Sequence, residues 1–229
     1  MSLRLSSVMA GAAVLLSSAG AYAHISIPGP AYAGTSQVLT FNVGHGCEGS
    51  DTVKVEIQIP PEVTTVRGLP SFFGFADVKT NEAGVVTSVV FTKDLIRNQD
   101  DQFYELKIRI KVPETPFETL YFPTIQYCRA ADGSEPAPAR WTLTPANPTE
   151  EGAEESPHAV ILPVRKPGWT KLTVAKEITD LTIFDDALIV WAGNSAYSSN
   201  DTTKAQIAME AGVTPLTKID ANTEIWIKY

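Results

Sequence analysis

The sequence predicts a mainly β protein: an antiparallel β-sandwich followed by a small α+β extension. Several short segments are rich in β-branched and aromatic residues and alternate apolar with polar positions, and proline or glycine separates them. The chain has 229 residues, of which 44% are hydrophobic and 19% are charged. It therefore has enough apolar side chains for a core, which excludes disorder as an overall description.

The strand segments follow one another at the short spacing typical of sandwiches. Thr52–Ile59 and Phe103–Val112 show the clearest alternation, and a proline stops each of them. A series of about seven short strands with turn signals between them is typical of an immunoglobulin-like fold, which we expect over residues 24–166. The other predicted strands are Gln37–Val43, Val85–Thr92, Leu120–Tyr127, Arg140–Leu143 and Ala159–Val164.

The end of the predicted sandwich is acidic, and the composition changes after it. Residues 144–157 are rich in Pro, Glu and Ala, which predicts a solvated surface loop. We expect a small α+β extension over residues 167–229. Its predicted elements are a turn at Asp180–Asp186, strands at Ala187–Trp191 and Glu224–Tyr229, and a helix at Thr202–Ala211 capped by Asp201 or Thr202 and ended by Gly212. The aspartates Asp180, Asp185 and Asp186 lack the spacing of a calcium loop.

The first residues have the pattern of a secretory signal. Met1–Arg4 is a short basic segment, Val8–Leu16 is apolar, and Ala21–Ala23 is a small-x-small cleavage site. The apolar stretch is shorter than a bilayer span requires, so we expect cleavage between Ala23 and His24 and not an uncleaved anchor. The prediction is a periplasmic or secreted protein with no membrane span after cleavage.

Charge and residue counts exclude several classes of function. The formal net charge is −8, which gives no electrostatic reason to bind nucleic acid or an anionic membrane. Two cysteines and three histidines are too few for a zinc-finger array or an iron–sulfur cluster. Gly44–Gly49 spells a dinucleotide-binding pattern, but a strand comes after it where a helix is required.

The two cysteines predict a disulfide. Cys47 and Cys128 are the cysteines of a chain expected to be secreted, and oxidation to a bridge is the default there. The alternative is a histidine/thiolate metal site formed by His45 and Cys47 in the glycine-rich turn.

His24 would become the first residue of the mature chain. An N-terminal histidine offers two nitrogens, the α-amino group and imidazole Nδ1, which can chelate one metal ion. The α-amino pKa of about 7.7–8 lets a metal compete for that nitrogen near neutral pH. Nitrogen-rich sites favour copper, which also heads the divalent affinity series. The alternative is that cleavage exposes a histidine without a metal role.

Residues spread over 24–164 resemble the YcnI-like copper-binding domain proteins of bacteria, which are secreted β-sandwiches whose mature chain begins with histidine. No single segment is specific for this family, but the combination of the N-terminal histidine, the strand–turn–strand and the late tryptophan is specific for it. The matching segments are Ala23–His24 with Pro28, Ala33–Thr35, Phe41–Val43, Asp51–Pro60, Phe122–Cys128, Asp132–Gly133, Trp141 and Ser156–Ala159.

The resemblance implies that His24 holds Cu(II) through its amine and imidazole, with Trp141 over the site and a carboxylate from the turn. The carboxylate does not transfer directly, because His45–Gly46 stands where the family often has an Asn-Glu pair. Either His45 replaces it, which would give three nitrogens as in a histidine brace, or Glu48 completes the site. His45 as a plain turn residue and Trp141 as a core aromatic are the alternatives, and His158 is expected not to be a ligand.

These features predict a copper carrier or metallochaperone, not an enzyme, whose partners are other periplasmic or membrane copper-trafficking proteins. One alternative is a copper-dependent oxidative enzyme with a histidine-brace-like site, although the sequence contains no run of aromatics that would form a substrate platform. A metal-free binding β-sandwich is the other. No Ser/His/Asp or Cys/His catalytic set is predicted, because three histidines are too few for both a copper site and a triad.

Overall fold

The computed structural model describes residues 24–47, 49–94 and 102–229; the predicted signal over 1–23 lies outside them. The described residues form mostly strands, with one 3₁₀ helix (η1) and one α-helix (α1). The elements are β1 Ile25–Ser26, β2 Ala31–Tyr32, β3 Ser36–Val43, β4 Asp51–Gln58, β5 Thr64–Gly68, β6 Asp77–Thr80, β7 Val86–Thr92, β8 Tyr104–Lys111, β9 Thr119–Tyr121, β10 Thr124–Arg129, β11 Ala139–Leu143, β12 Ala153–Glu155, β13 His158–Leu162, β14 Trp169–Thr173, η1 Leu181–Phe184, β15 Ile189–Ala192, β16 Ser195–Tyr197, α1 Asp201–Met209, β17 Thr214–Pro215 and β18 Glu224–Lys228.

Two large sheets and one small sheet share a core and make up the sandwich. The large sheets have the strand orders β1-β3-β8-β5 and β12-β11-β10-β4-β7-β6, and all their neighbours except β11 and β12 are antiparallel. The small sheet has the order β2-β13-β9, in which β13 is parallel to β2 and antiparallel to β9. Alternate side chains of β8 are buried, as its period of two requires. The core includes Phe41, Phe91 and Phe122, each of which stabilises the fold by about 1.5–3 kcal/mol when fully buried. The predicted mainly β, immunoglobulin-like sandwich is confirmed.

Two predictions within the sandwich are wrong. Leu120–Tyr127 is not one strand, because Pro123 separates β9, which pairs with β13, from β10, which pairs with β4. Proline has no N–H to donate to a ladder, so the chain changes sheets at this point. The predicted loop 144–157 contains β12, whose polar residues carry no alternation that would reveal a strand.

The C-terminal residues form a five-stranded sheet of order β14-β18-β15-β16-β17. It has its own apolar cluster, which includes Phe184, Val190 and Ile225. The predicted helix begins one residue earlier, and its cap is Asn200, whose side chain accepts a hydrogen bond from the Thr203 amide. A cap at Asp201 or Thr202 was therefore wrong. No helix in the described part of the chain is long and apolar enough to cross a membrane.

Contacts tie this sheet to the sandwich. The Phe117 ring lies 5.4 Å from the Phe184 ring, and Lys176 contacts Glu118 across the boundary. The turn predicted near Asp180 is η1; the Asp180 side chain accepts from the Thr182 amide. Hydrogen bonds to the side chain and amide of Thr182 lower the pKa of Asp180.

A disulfide links the turn after β3 to β10. The pairing of Cys47 with Cys128 confirms the prediction, with 5.8 Å between the Cα atoms. A cross-link over a separation of 81 residues removes entropy from the unfolded chain, which stabilises the fold by roughly 4–5 kcal/mol in the chain-entropy model. The bridge thereby holds the turn that carries His45 against the second sheet.

A polar cluster lies inside the same end of the sandwich. The Lys93 ammonium contacts the Asp51 carboxylate, and the two side chains are 3% and 2% exposed. Tyr104 Oη lies 2.9 Å from Asp51 Oδ1 and 3.0 Å from Lys93 Nζ. Burial is tolerated because each charge has close polar partners.

Tyr197 is expected to make the C-terminal unit sensitive to alkali. Its hydroxyl donates to Asp185 Oδ1 at 2.6 Å, and burial, followed by this hydrogen bond, raises the pKa of Tyr197 to about 12. The usual value is about 10, so the folded state holds the proton more tightly. The resulting stabilisation is complete below about pH 10 and is lost as the pH rises through about 12.

Ultraviolet absorbance of tyrosinate during an alkaline titration measures this directly. Burial also raises the pKa of Tyr229 to about 12, so Tyr197 and Tyr229 should both contribute to a late step above the usual tyrosine value of about 10. Tyr197→Phe should reduce the absorbance change of that late step, and Asp185→Asn should move the contribution of Tyr197 to lower pH. An unchanged late step in Tyr197→Phe would show that other tyrosines cause it.

Candidate metal centre

His24 lies immediately before β1, at one end of the first sheet. β1 pairs with the end of β3, where Ile25 is opposite Val43. The His24 side chain is 64% exposed, and its ring centroid lies 5.2 Å from the Trp141 ring at an interplanar angle of 51°. A residue that the sequence predicts as a ligand therefore stacks obliquely on the tryptophan that the family resemblance implies for the same site.

Trp141 is a core residue that also reaches this end of the sandwich. It lies in β11, where it pairs with Thr124 of β10 and Glu154 of β12, and only 2% of it is exposed. Its indole Nε1 is buried, and no hydrogen-bond partner for it occurs among the described residues. Buried indole N–H groups usually have a hydrogen-bond partner, so the Trp141 N–H beside His24 is an exception among the described residues.

Glu154 is the residue at this site that the sequence did not reveal. Its Oε2 lies 3.5 Å from His24 Nε2, and its side chain is 34% exposed. It belongs to an acidic run that is typical of a solvated loop, and a parallel pairing with β11 places it opposite Trp141. No local pattern predicts such a pairing, because its partner strand is separated from it by an irregular loop.

His45 lies in the turn after β3. Continuing the register of β1 and β3 places Gly44 opposite His24, so His45 comes one residue later at the same end of the sheet. The His45 carbonyl accepts a hydrogen bond from Gln126 Nε2 at 2.7 Å. Its ring Nδ1 lies 2.8 Å from the Gly46 carbonyl; because a carbonyl can only accept, Nδ1 carries the hydrogen and Nε2 carries the lone pair.

The structure brings together His24, Trp141 and Glu154. Across residues 24–47, 49–94 and 102–229, no three His, Cys, Asp or Glu side chains form a ready metal-binding group. Glu48, the other candidate carboxylate, lies outside the described residues. The third histidine, His158, is in β13, where its ring lies 5.6 Å from Tyr121 and its Nδ1 lies 3.1 Å from the Ser156 carbonyl.

The donor atoms at this end of the sandwich suit a borderline metal. An imidazole and a carboxylate are ligands for copper or zinc, and an α-amino group at His24 would add a second nitrogen. A carboxylate beside His24 Nε2 favours the tautomer with hydrogen on Nε2. That tautomer leaves the lone pair on Nδ1, which is the ring nitrogen that can chelate together with the amine.

Several solved structures show a weak likeness to the chain. An uncharacterized protein from Nocardia farcinica, described as having an immunoglobulin-like fold, is 26% identical, and the match covers 61% of this chain and 97% of that one with a TM-score of 0.44. A cohesin module from a Clostridium perfringens family 33 glycoside hydrolase is 14% identical over 62% and 96% of the chains, with a TM-score of 0.37. BcpA, the major pilin subunit of Bacillus cereus, in its D312A form, is 10% identical over 90% and 56%, with a TM-score of 0.36.

Comparison with families is more informative. No curated protein matches the chain. A family model described as a domain of unknown function, DUF1775, matches residues 24–72 and 75–162, which is more than half of the chain. The match begins at His24 and ends at the last residue of β13, so it covers the sandwich without the C-terminal sheet. The chain belongs to the DUF1775 family, the family of the YcnI-like proteins.

Proposed function

We propose that the protein is a periplasmic copper carrier that binds Cu(II) through the mature N-terminal residue His24. The contact that carries this proposal is the one between His24 Nε2 and Glu154 Oε2, at 3.5 Å. It leaves Nδ1 as the free ring nitrogen, and Nδ1 and the α-amino group of the same residue close a chelate ring. Copper is the cargo of the protein and does not take part in a reaction.

Trp141 and the turn complete the proposed site. The indole at 5.2 Å from the imidazole shields one side of a metal held by His24, and its π face attracts a cation. His45 is the proposed third nitrogen, with Nε2 as the donor, and Glu48 is the alternative ligand from the same turn. Glu154 orients the His24 ring from outside the ligand set.

The solvent exposure of His24 supports a role for the protein as a copper carrier. The His24 side chain is 64% exposed, so a partner protein can reach the metal and exchange it by replacing one ligand at a time. The proposed donors and acceptors are other periplasmic or membrane copper-trafficking proteins. A site of this kind needs the free amine, so copper binding depends on secretion and on cleavage after Ala23.

Electron paramagnetic resonance of the chain that begins at His24, loaded with one equivalent of Cu(II), tests the proposal. The comparison is with the same chain N-acetylated at His24, which converts the amine to an amide, supplies no new terminal amine and leaves every side chain in place. We expect a nitrogen-rich type 2 spectrum from the first protein and its loss from the second. Identical spectra would show that the His24 amine is not a ligand.

A further inference from the structure

Three of the four tryptophans in the chain lie on one face of the C-terminal sheet. Trp191 of β15 is directly opposite Trp226 of β18, and Trp169 of β14 is opposite Lys228, two residues along from Trp226. Partners across a ladder, and residues two apart on one strand, project from the same side of a sheet. We call Trp169, Trp191 and Trp226 the tryptophan face.

The tryptophan face is open to solvent. Trp169 is 50% exposed and Trp226 is 42% exposed, and Trp191 is half-buried. The opposite side of the same strands carries Ile225 and Ile227, which are fully buried in the core of this unit. The sheet therefore has its apolar core on one side and exposed indoles on the other, and large apolar side chains gathered on one exposed face are typical of a binding site.

Charged groups surround the indoles. Lys171 Nζ lies 5.4 Å from the Trp226 ring centroid and 2.7 Å from Glu224 Oε2. Lys228 Nζ lies 5.7 Å from the Trp169 ring centroid. The surface thus alternates flat apolar rings with hydrogen-bond donors and an acceptor, over three adjacent strands that span roughly 10 Å.

We propose that the tryptophan face binds an oligosaccharide of two or three sugar rings. The C–H face of a pyranose ring is flat and apolar and stacks on an indole, while its hydroxyl groups at the rim exchange hydrogen bonds with ammonium and carboxylate groups. A purely apolar partner would leave Lys171, Glu224 and Lys228 desolvated without partners. An anionic polymer is disfavoured because the chain as a whole has a net charge of −8.

This activity is independent of copper and belongs to the part of the chain outside the DUF1775 match. The sequence predicted no clear substrate platform, so it did not reveal the tryptophan face. The platform is assembled from strands that are distant in sequence, and it would attach the sandwich to a glycan.

Isothermal titration of the signal-cleaved full chain with chitohexaose and cellohexaose, accompanied by tryptophan emission, tests the proposal. We expect saturable binding with a change in emission. Trp226→Ala and Trp169→Ala should each weaken binding roughly tenfold, the scale of one stacked ring in other flat-ring ligands. Phe75→Ala is the matched control, because Phe75 is 87% exposed but lies in the sandwich, and it should bind as the parent does.

Several results would contradict the proposal, and two of them would assign another role to the tryptophan face. Absence of binding to both oligosaccharides, or equal binding by the tryptophan variants, overturns the proposal. Salt-sensitive binding to heparin that is lost in Lys228→Ala but retained in Trp226→Ala would show an electrostatic site instead. Sedimentation showing a dimer that Trp226→Ala dissociates would show that a second copy covers the face. Thermal unfolding of each variant establishes that these exposed substitutions leave the fold intact.

Discussion

Replacing Lys93 with methionine is expected to destabilise the sandwich by about 3–5 kcal/mol. The Lys93 ammonium contacts the Asp51 carboxylate where both side chains are almost fully buried. Methionine fills a similar volume but removes the cation, so the Asp51 carboxylate loses the ammonium that contacts it at an almost fully buried position. Tyr104 still lies at hydrogen-bonding distance from Asp51, which limits the loss without replacing the charge.

Urea unfolding at neutral pH measures this effect, with two comparisons. The double variant Asp51→Asn, Lys93→Met removes both charges and should recover a large part of the lost stability. Lys107→Met breaks an exposed pair with Glu105, whose side chains are 44% and 51% exposed, and should cost less than about 1 kcal/mol. If Lys93→Met costs no more than Lys107→Met, the buried cluster does not stabilise the fold through its charge pair.

Substitution of His24 by alanine in the signal-cleaved protein is expected to lower Cu(II) affinity by roughly 10²- to 10⁴-fold, the gain that a linked second donor provides. Only the amine would remain from the proposed chelate. Glu154→Gln keeps the ligands but removes the carboxylate beside Nε2, and such orienting partners typically contribute about 10–100-fold. Competition against a chelator of known affinity measures both changes.

Variants of His45 and His158 test which of these two histidines is a copper ligand. His45→Ala should lower the number of nitrogens in the copper spectrum if His45 completes the site, whereas Glu154→Gln should leave that number unchanged. His158→Ala is the matched control, because His158 in β13 packs on Tyr121 in β9. The Cu(II) affinity of this variant should equal that of the parent. A His24→Ala protein that binds Cu(II) as tightly as the parent would remove the basis of the site.

The sequence by itself determined the features whose cause is local. Period-two alternation predicted β4 and β8 nearly to their ends, because a strand with one buried face must alternate along its own length. Two cysteines in a chain with a signal pattern predicted the bridge between Cys47 and Cys128. His24 was predicted as a candidate ligand from its position after a cleavage site, which also requires no knowledge of the fold.

Tertiary structure decided everything that depends on pairing between distant segments. Glu154 reaches His24 only because β12 adds to β11, and an acidic run without alternation gives no sign of that pairing. The tryptophan face exists only because β14, β18 and β15 are neighbours in the sheet, although they are separated along the chain. The buried contact between Lys93 and Asp51 likewise joins the ends of different strands. The strand register decides which residues become neighbours on a surface of the sheet. Packing of the whole core decides which strands pair with one another.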